Sequence, residues 1–323
     1  MGRVGKTRII VGYAAIACAL PYLALKIIWL SGGRLGVSDP VMMSDRSMVA
    51  LNLVTAGMDV VAIGIALAFT HTWGVRIPAW IVLPPIWTAT GLLAKFVLAV
   101  PAIVVVNAIV QRRLPRPAGG PVEGWVYAVV YTEFVGMGVG LGLAFLFYAR
   151  TRWRAVFEAP GEPAVDAMTP SPTRGVQLPL AIVGALIATV VATAFLAWAL
   201  GATFGLPREL GADRTFGSYL INAIDGAMAL AAAAGILLLV TRPRGRDRRV
   251  PFWLAAMLTW MGSGSLFGWG LWHLINVLGS TALVRERIPV MPVVNLLALL
   301  QLLAGTVIGI VSLFVFAERQ ASR

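Results

Sequence analysis

Five ionisable side chains fall within long apolar stretches of the sequence, where an unpaired charge is costly. They are two lysines and three carboxylic acids: Lys26, Asp59, Lys95, Glu133 and Asp225. Each would cost about 2.5–3.5 kcal/mol if it stayed charged at the centre of a bilayer, so five would rival the net stability of a folded protein, about 5–15 kcal/mol. We therefore expect these groups to be paired, neutralised, or wetted by a cavity between helices.

Proton or ion exchange is the chemistry that these residue types could perform. Asp59 and Glu133 could take up a proton or a cation, while Lys26 or Lys95 supplies a counter-charge. Glu133 is expected to be neutral if no cation lies close to it, because burial disfavours an isolated charge. Three neutral polar side chains at comparable or shallower depth would support such a site: Asn52, Asn222 and Gln301.

Eight apolar segments must position these groups. The 323 residues are 59% hydrophobic and only 12% charged, which excludes a water-soluble globule. The predicted spans, each long enough to cross about 30 Å of hydrocarbon, are 9–31, 48–70, 78–101, 124–148, 178–202, 219–241, 251–274 and 290–316. Spans of this length should be helices, since backbone groups in lipid have no water to bond. The predicted fold class is therefore all-α, a polytopic membrane bundle of eight transmembrane helices.

Basic residues in the connections predict the orientation in the cell membrane. If both termini are cytoplasmic, the inner connections hold fifteen basic residues and the outer connections nine. This excess favours that orientation, because basic residues are retained on the cytoplasmic side. One outer cluster opposes it: Arg112, Arg113 and Arg116. With the termini inside, the five ionisable groups lie roughly 8–17 Å below the outer helix ends, in one polar layer.

Two motifs recur in the second half of the chain at nearly constant spacing, which indicates a duplication. The first motif contains Trp80, Trp87 and Gly91 and recurs as Trp253, Trp260 and Gly264. The second contains Trp29, Gly32 and Gly36 and recurs as Trp198, Gly201 and Gly205. We interpret the chain as two four-helix repeats of the same topology, 1–154 and 178–323, joined by a flexible cytoplasmic linker at 155–177.

Alignment of the two repeats predicts an asymmetric site. Lys26, Lys95 and Glu133 correspond to Phe195, Gly268 and Gln301, so the second repeat has lost most of these charges. Asp225 corresponds to Thr55, one helical turn before Asp59 and on the same face. We expect the site to lie in the first repeat and to be completed by Asp225 across a pseudo-two-fold axis.

Cofactor, metal and nucleic-acid chemistry are not expected. The net charge of +12 comes almost wholly from arginine and is explained by membrane topology, so nucleic acid is not an expected partner. Cys18 is the only cysteine, and His71 and His273 end spans on opposite sides of the bilayer, so no ordinary metal or haem site is available. No phosphate-binding loop or familiar hydrolase motif occurs.

Three functions remain open from the sequence, all within the lipid bilayer. The first is a permease or carrier for a small solute or ion, in which the polar groups would line one cavity. The second is a non-catalytic scaffold, sensor or accessory subunit of another membrane protein, in which the charges would form tight pairs without a cavity. The third is an intramembrane enzyme on a lipid or prenyl substrate, which would need a long apolar cleft beside Glu133 or Asp59.

Overall fold

The computed structural model describes residues 5–111, 121–153, 173–207, 214–241, 250–283 and 291–321. These residues contain eight long helices. The helices are α1 (Lys6–Leu30), α2 (Arg46–Thr70), α3 (Ala79–Val106), α4 (Gly124–Arg152), α5 (Arg174–Ala199), α6 (Phe216–Thr241), α7 (Phe252–Leu283) and α8 (Pro292–Ala321). No β-strand occurs in the described ranges, and one isolated bridge joins Val37 to Val122. The predicted all-α class is confirmed.

Seven of these helices are long and apolar enough to cross a membrane, which supports a multi-pass membrane protein. Helix α7 is long but does not belong to this group. Its four tryptophans and its glycines and serines lower its mean hydropathy. The predicted span 251–274, and with it the count of eight spans, therefore stays a prediction.

Several helices are longer than the predicted spans, because an apolar window measures only the part that suits lipid. Helix α3 continues through Pro101 to Val106 and ends in a π-helical turn, Asn107–Gln111. Helix α7 continues to Leu283 and α8 to Ala321. Of the predicted linker 155–177, residues 155–172 lie outside the described ranges, and α5 already begins at Arg174.

The chain forms two compact units. The first comprises Met1–Tyr148 and Asn276–Ile288, and the second comprises Ala149–Ile275 and Pro289–Arg323. The first unit therefore holds α1, α2, α3 and nearly all of α4, and the second holds α5, α6, α8 and most of α7. The repeat boundaries predicted from the sequence stay a prediction.

A tight turn ends α1 and fixes the chain that follows it. The indole Nε1 of Trp29 donates to the carbonyl oxygen of Leu35 at 2.8 Å. Gly32 and Gly36 have φ of 91° and 70°, a left-handed conformation that glycine adopts without steric cost. A Cβ at Gly36 would also lie 2.5 Å from Val126 on α4. The turn thus needs glycine both for its backbone and for its packing.

The turn after α5 in the second unit has the same construction. The indole Nε1 of Trp198 donates to the carbonyl oxygen of Phe204 at 3.0 Å. Gly201 and Gly205 have φ of 105° and 70°. A Cβ at Gly205 would lie 2.5 Å from Val293, near the start of α8. The recurring Trp-Gly-Gly motif therefore forms one kind of turn in both places.

Backbone hydrogen bonds tie the segment after α1 to the start of α4. The amide of Ser38 donates to the carbonyl of Pro121 at 2.9 Å, and the amide of Glu123 donates to the carbonyl of Gly36 at 2.8 Å. Apolar side chains close over this junction, and we name them the apolar cap: Leu25, Trp29, Val37, Met43, Val122 and Val126.

Candidate functional site

Small residues bring α1 close to its neighbours in the first unit, which allows polar side chains on three helices to meet. A Cβ at Gly140 of α4 would lie 2.5 Å from the Cβ of Ala15 on α1. Gly12 of α1 packs directly on Thr70 of α2. Glycine at such contacts lets helix backbones approach more closely than larger residues would.

Lys26 and Asp59 form a buried ion pair between α1 and α2. The Nζ of Lys26 lies 2.7 Å from the Oδ2 of Asp59. The same Nζ lies 4.0 Å from the centroid of the Tyr22 ring, one helical turn earlier on α1. The ammonium group is therefore held by a carboxylate and by the face of an aromatic ring.

Glu133 of α4 adds a second acid to this pair. Its carboxyl group lies within hydrogen-bonding reach of the Asp59 carboxyl group. Two carboxyl groups can form a hydrogen bond only if one carries a proton. Since the Lys26 ammonium stabilises Asp59 as a carboxylate, the proton belongs on Glu133. We name Lys26, Asp59 and Glu133 the charged cluster.

One oxygen of Glu133 makes no hydrogen bond within the part of the chain that the structure describes. Glu133 is only 2% exposed, and its Oε2 has no hydrogen-bond partner among the residues that the structure describes. A buried polar atom without a partner is costly, so it marks a place where a ligand, a water molecule or a proton can be accommodated.

Aromatic rings form one side of the cluster. The Tyr22 ring meets Trp29 and Phe134 edge to face, with centroids 6.1 Å and 6.2 Å away. The Phe134 ring lies 4.5 Å from that of Phe96 on α3. We name these four residues the aromatic wall: Tyr22, Trp29, Phe96 and Phe134. The face of its Tyr22 ring contacts the Lys26 ammonium, and its only side-chain oxygen atom is the Tyr22 hydroxyl.

The apolar cap lies between the charged cluster and the ends of the helices. Lys26 comes three residues before Trp29 on α1, and Glu133 comes seven residues after Val126 on α4. On α2, Asp59 comes seven residues after Asn52, whose Nδ2 lies 3.5 Å from the Sδ of Met43 in the cap. Each charged group therefore lies one or two turns from the cap, on the same helix face as its cap neighbour.

The five ionisable residues predicted from the sequence are all covered by protein. None is more than 8% exposed, although the structure contains no lipid to cover them. Lys26, Asp59 and Glu133 come together, and Lys95 is also buried, on α3 beside Phe96 of the aromatic wall. Asp225 and Gln301 are buried and Asn222 is half-buried, and these three lie in the second unit. The expectation that Asp225 completes the site stays a prediction.

Sequence patterns did not single out two further residues. The signal that could have identified Tyr22 is its spacing, because an aromatic ring four residues before a lysine lies on the same helix face. Arg8 is one of the fifteen basic residues that the sequence assigns to the inner connections, but it lies inside α1 and is buried. Its Nε donates to the carbonyl oxygen of Phe69, and its guanidinium lies 5.3 Å from the centroid of the Tyr148 ring.

Acid–base and cation chemistry is what this arrangement can perform. The described part of the chain holds no group of three or more His, Cys, Asp or Glu residues able to bind a metal ion. His71 bonds to Thr70 and Leu67 beside it, and His273 bonds to the Oδ1 of Asn295 at 2.9 Å.

Comparison of the chain with protein-family models, with curated proteins and with solved structures finds no match. The charged cluster itself is therefore the basis for proposing a function.

Proposed function

We propose that the protein is a multi-pass membrane carrier for a small solute or ion, in which the charged cluster exchanges a proton. The observation that supports this most directly is the unequal charge count: two carboxyl groups share one ammonium group at the Lys26–Asp59 contact of 2.7 Å. The buried acid Glu133 must then hold a proton, and it must release that proton or bind a cation whenever its surroundings become wet.

The location of the cluster suits access from one side of the membrane. With both termini in the cytoplasm, α1 ends and α4 begins at the extracytoplasmic surface. Glu133 then lies about 14 Å below the start of α4, at a rise of about 1.5 Å per residue. The apolar cap would be the barrier on that side. Separation of Trp29 from Val126 would open a short path to Glu133, whereas the closed arrangement excludes water.

The alternation between open and closed states also fits a duplicated architecture. We interpret the chain as four helices repeated, 1–154 and 178–323, and matching contacts support this. Ala15 packs on Gly140 in the first unit, and at the equivalent positions of the second unit a Cβ on Gly184 would lie 2.9 Å from Ile308. Carriers built from repeats bind their cargo near the bilayer midplane and alternate by rocking one part against another.

A second candidate is a scaffold or accessory subunit of a membrane complex. The observation that favours it is the short distance between Lys26 and Asp59, with Lys26 fully buried. A buried ion pair of this kind is able to fix how helices pack without any further role. A scaffold would need no proton movement at Glu133. The two functions therefore differ in what a change of pH does to the protein.

Charge movement after a pH jump separates the two functions. Purified protein is reconstituted into liposomes on a solid-supported membrane, and the transient current after a rapid change of external pH is recorded. A carrier with an exchangeable proton within the membrane gives a current in the wild-type protein that is lost in the Glu133→Gln variant.

The matched control is Glu123→Gln, because the Glu123 side chain is exposed just before α4 and its carboxylate accepts a hydrogen bond from the indole of Trp125 beside it. This variant should keep the wild-type current. A scaffold gives no current in any of the three proteins. A current that persists in Glu133→Gln would overturn the proposed role of Glu133.

A further inference from the structure

We propose that the cargo exchanged for the Glu133 proton is a small primary alkylammonium ion. This inference rests on the proposed function and deepens it, because it names the chemical class that the same site would bind. It is carried by three features of the first unit: an unused oxygen on Glu133, an ammonium group already bound beside it, and the aromatic wall.

The charge count allows one monovalent cation to replace the proton of Glu133. Lys26 supplies one positive charge to Asp59 and Glu133, and the second carboxyl group is neutral only while it holds a proton. A monovalent cation at Glu133 would give the same net charge as the proton. A divalent ion would leave an excess positive charge in the buried site, which is costly.

Lys26 shows how the site binds an ammonium group. Its Nζ lies 2.7 Å from the Oδ2 of Asp59 and 4.0 Å from the centroid of Tyr22. A carboxylate on one side and a ring face on the other is the arrangement that recognises N–H cations. The Oε2 of Glu133 offers a second acceptor in the same charged cluster, and the structure describes no hydrogen-bond partner for it.

The aromatic wall disfavours a bare metal cation. Hard cations such as Ca²⁺ and Mg²⁺ take about six to eight oxygen ligands. Phe134 and Phe96 supply none, and carbonyl groups within α1, α2 and α4 are used by the helices themselves. A primary alkylammonium ion has only three N–H groups to satisfy, fewer than the ligands of a bare metal ion, and its alkyl group can lie against rings.

The exchange balances in charge and protons. As R–NH₃⁺ enters, Glu133 gives its proton to water and becomes a carboxylate, and the ammonium forms an ion pair with it. The titratable groups that interact with Glu133 are Tyr22 and Lys26 on α1 and Asp59 on α2. Cys18 of α1 packs on Gly136, one turn further along α4, and Lys95 is buried on α3. Of these, Asp59 is already held as a carboxylate by Lys26, so Glu133 is the group that releases a proton.

Proton release on binding tests the proposal. Methylammonium chloride, adjusted to the pH of the sample, is added to purified protein in weakly buffered detergent solution containing a pH indicator. We expect saturable release of up to one proton per chain, no comparable release with sodium chloride, and no release from Glu133→Gln. The control Glu123→Gln should behave as the wild type.

A wild-type measurement makes the test independent of how well the variants fold. Because only the deprotonated form of Glu133 can pair with the cation, the apparent Kd for methylammonium should rise about tenfold for each pH unit below neutrality. A Kd that does not change with pH, an equal response to sodium, or release that persists in Glu133→Gln would overturn the proposal.

The outcome can be told apart from that of the carrier proposal. Binding in detergent needs no transport, so methylammonium binding without a pH-jump current would support the cation site and contradict the carrier function. A pH-jump current without methylammonium binding would support the carrier function and contradict this class of cargo.

Discussion

Arg8 and Lys26 project from the same face of α1, because they are 18 positions apart, which amounts to five helical turns. Arg8 contacts α2 through the carbonyl of Phe69, and Lys26 contacts it through the carboxylate of Asp59. Gly12, Ala15 and Ala19 are buried on α1 between the two cations. One face of α1 thus attaches to its neighbours by a cation near each end and by small residues between them.

Removal of the Lys26 ammonium should destabilise the first unit more than removal of the whole pair. The Lys26→Met variant leaves the buried Asp59 carboxylate without its partner, at a cost of roughly 3–5 kcal/mol. The double variant Lys26→Met/Asp59→Leu buries neither charge and should recover most of that loss. Thermal unfolding in detergent measures both. A single variant as stable as the wild type would show that the pair contributes nothing to packing.

The two Trp-Gly-Gly turns should respond alike to loss of the indole hydrogen bond. Trp29→Phe and Trp198→Phe each remove one bond from an indole Nε1 to a carbonyl oxygen, at 2.8 Å and 3.0 Å in the wild type. Each substitution should cost about 0.5–1.5 kcal/mol in stability, since that is the usual net contribution of one such bond. Each variant serves as the control for the other.

Clearly unequal losses would contradict the view that the two turns are equivalent. The comparison is made by denaturant unfolding in one detergent at one protein concentration. A near-zero loss of stability in Trp29→Phe combined with a large loss in Trp198→Phe would mean that the indole hydrogen bond stabilises the turn of the second unit alone.

Cysteine labelling should establish the orientation. Cys18 is the only cysteine, so its replacement by alanine gives a background without thiols. Ser38→Cys and Thr151→Cys then place a thiol at exposed positions near opposite ends of α4. We expect a membrane-impermeant maleimide to label the first variant on intact cells and the second only after permeabilisation. The reverse pattern would put both termini outside and the charged cluster in the cytoplasmic half.

Composition and charge predict much of the fold and part of the candidate site. Long apolar segments predict helices because lipid leaves backbone groups no other partner, and the described residues agree. The cost of buried charge predicts that Asp59 is covered and neutralised, but it does not choose between Lys26 and Lys95 as the partner. That choice depends on which helices approach closely, as Gly12 does with Thr70, and such contacts act between segments far apart in sequence.

The burial of Arg8 could not be predicted from the sequence for a related reason. Basic residues before an apolar run are usually counted with the connection, since charged groups prefer water. Arg8 instead has an acceptor at Phe69 and a ring at Tyr148, both brought by distant parts of the chain. A buried arginine near a helix start can be recognised only once those partners are known.

Both proposals depend on a protonated Glu133, and infrared spectroscopy tests its protonation state most directly. A protonated carboxyl group absorbs at a C=O stretching frequency separate from that of a carboxylate and shifts in heavy water. At neutral pH the wild-type protein and Glu123→Gln should show this band, and Glu133→Gln should lack it. An identical band in Glu133→Gln, or no such band in the wild type, would mean that Glu133 does not hold the proton on which the account depends.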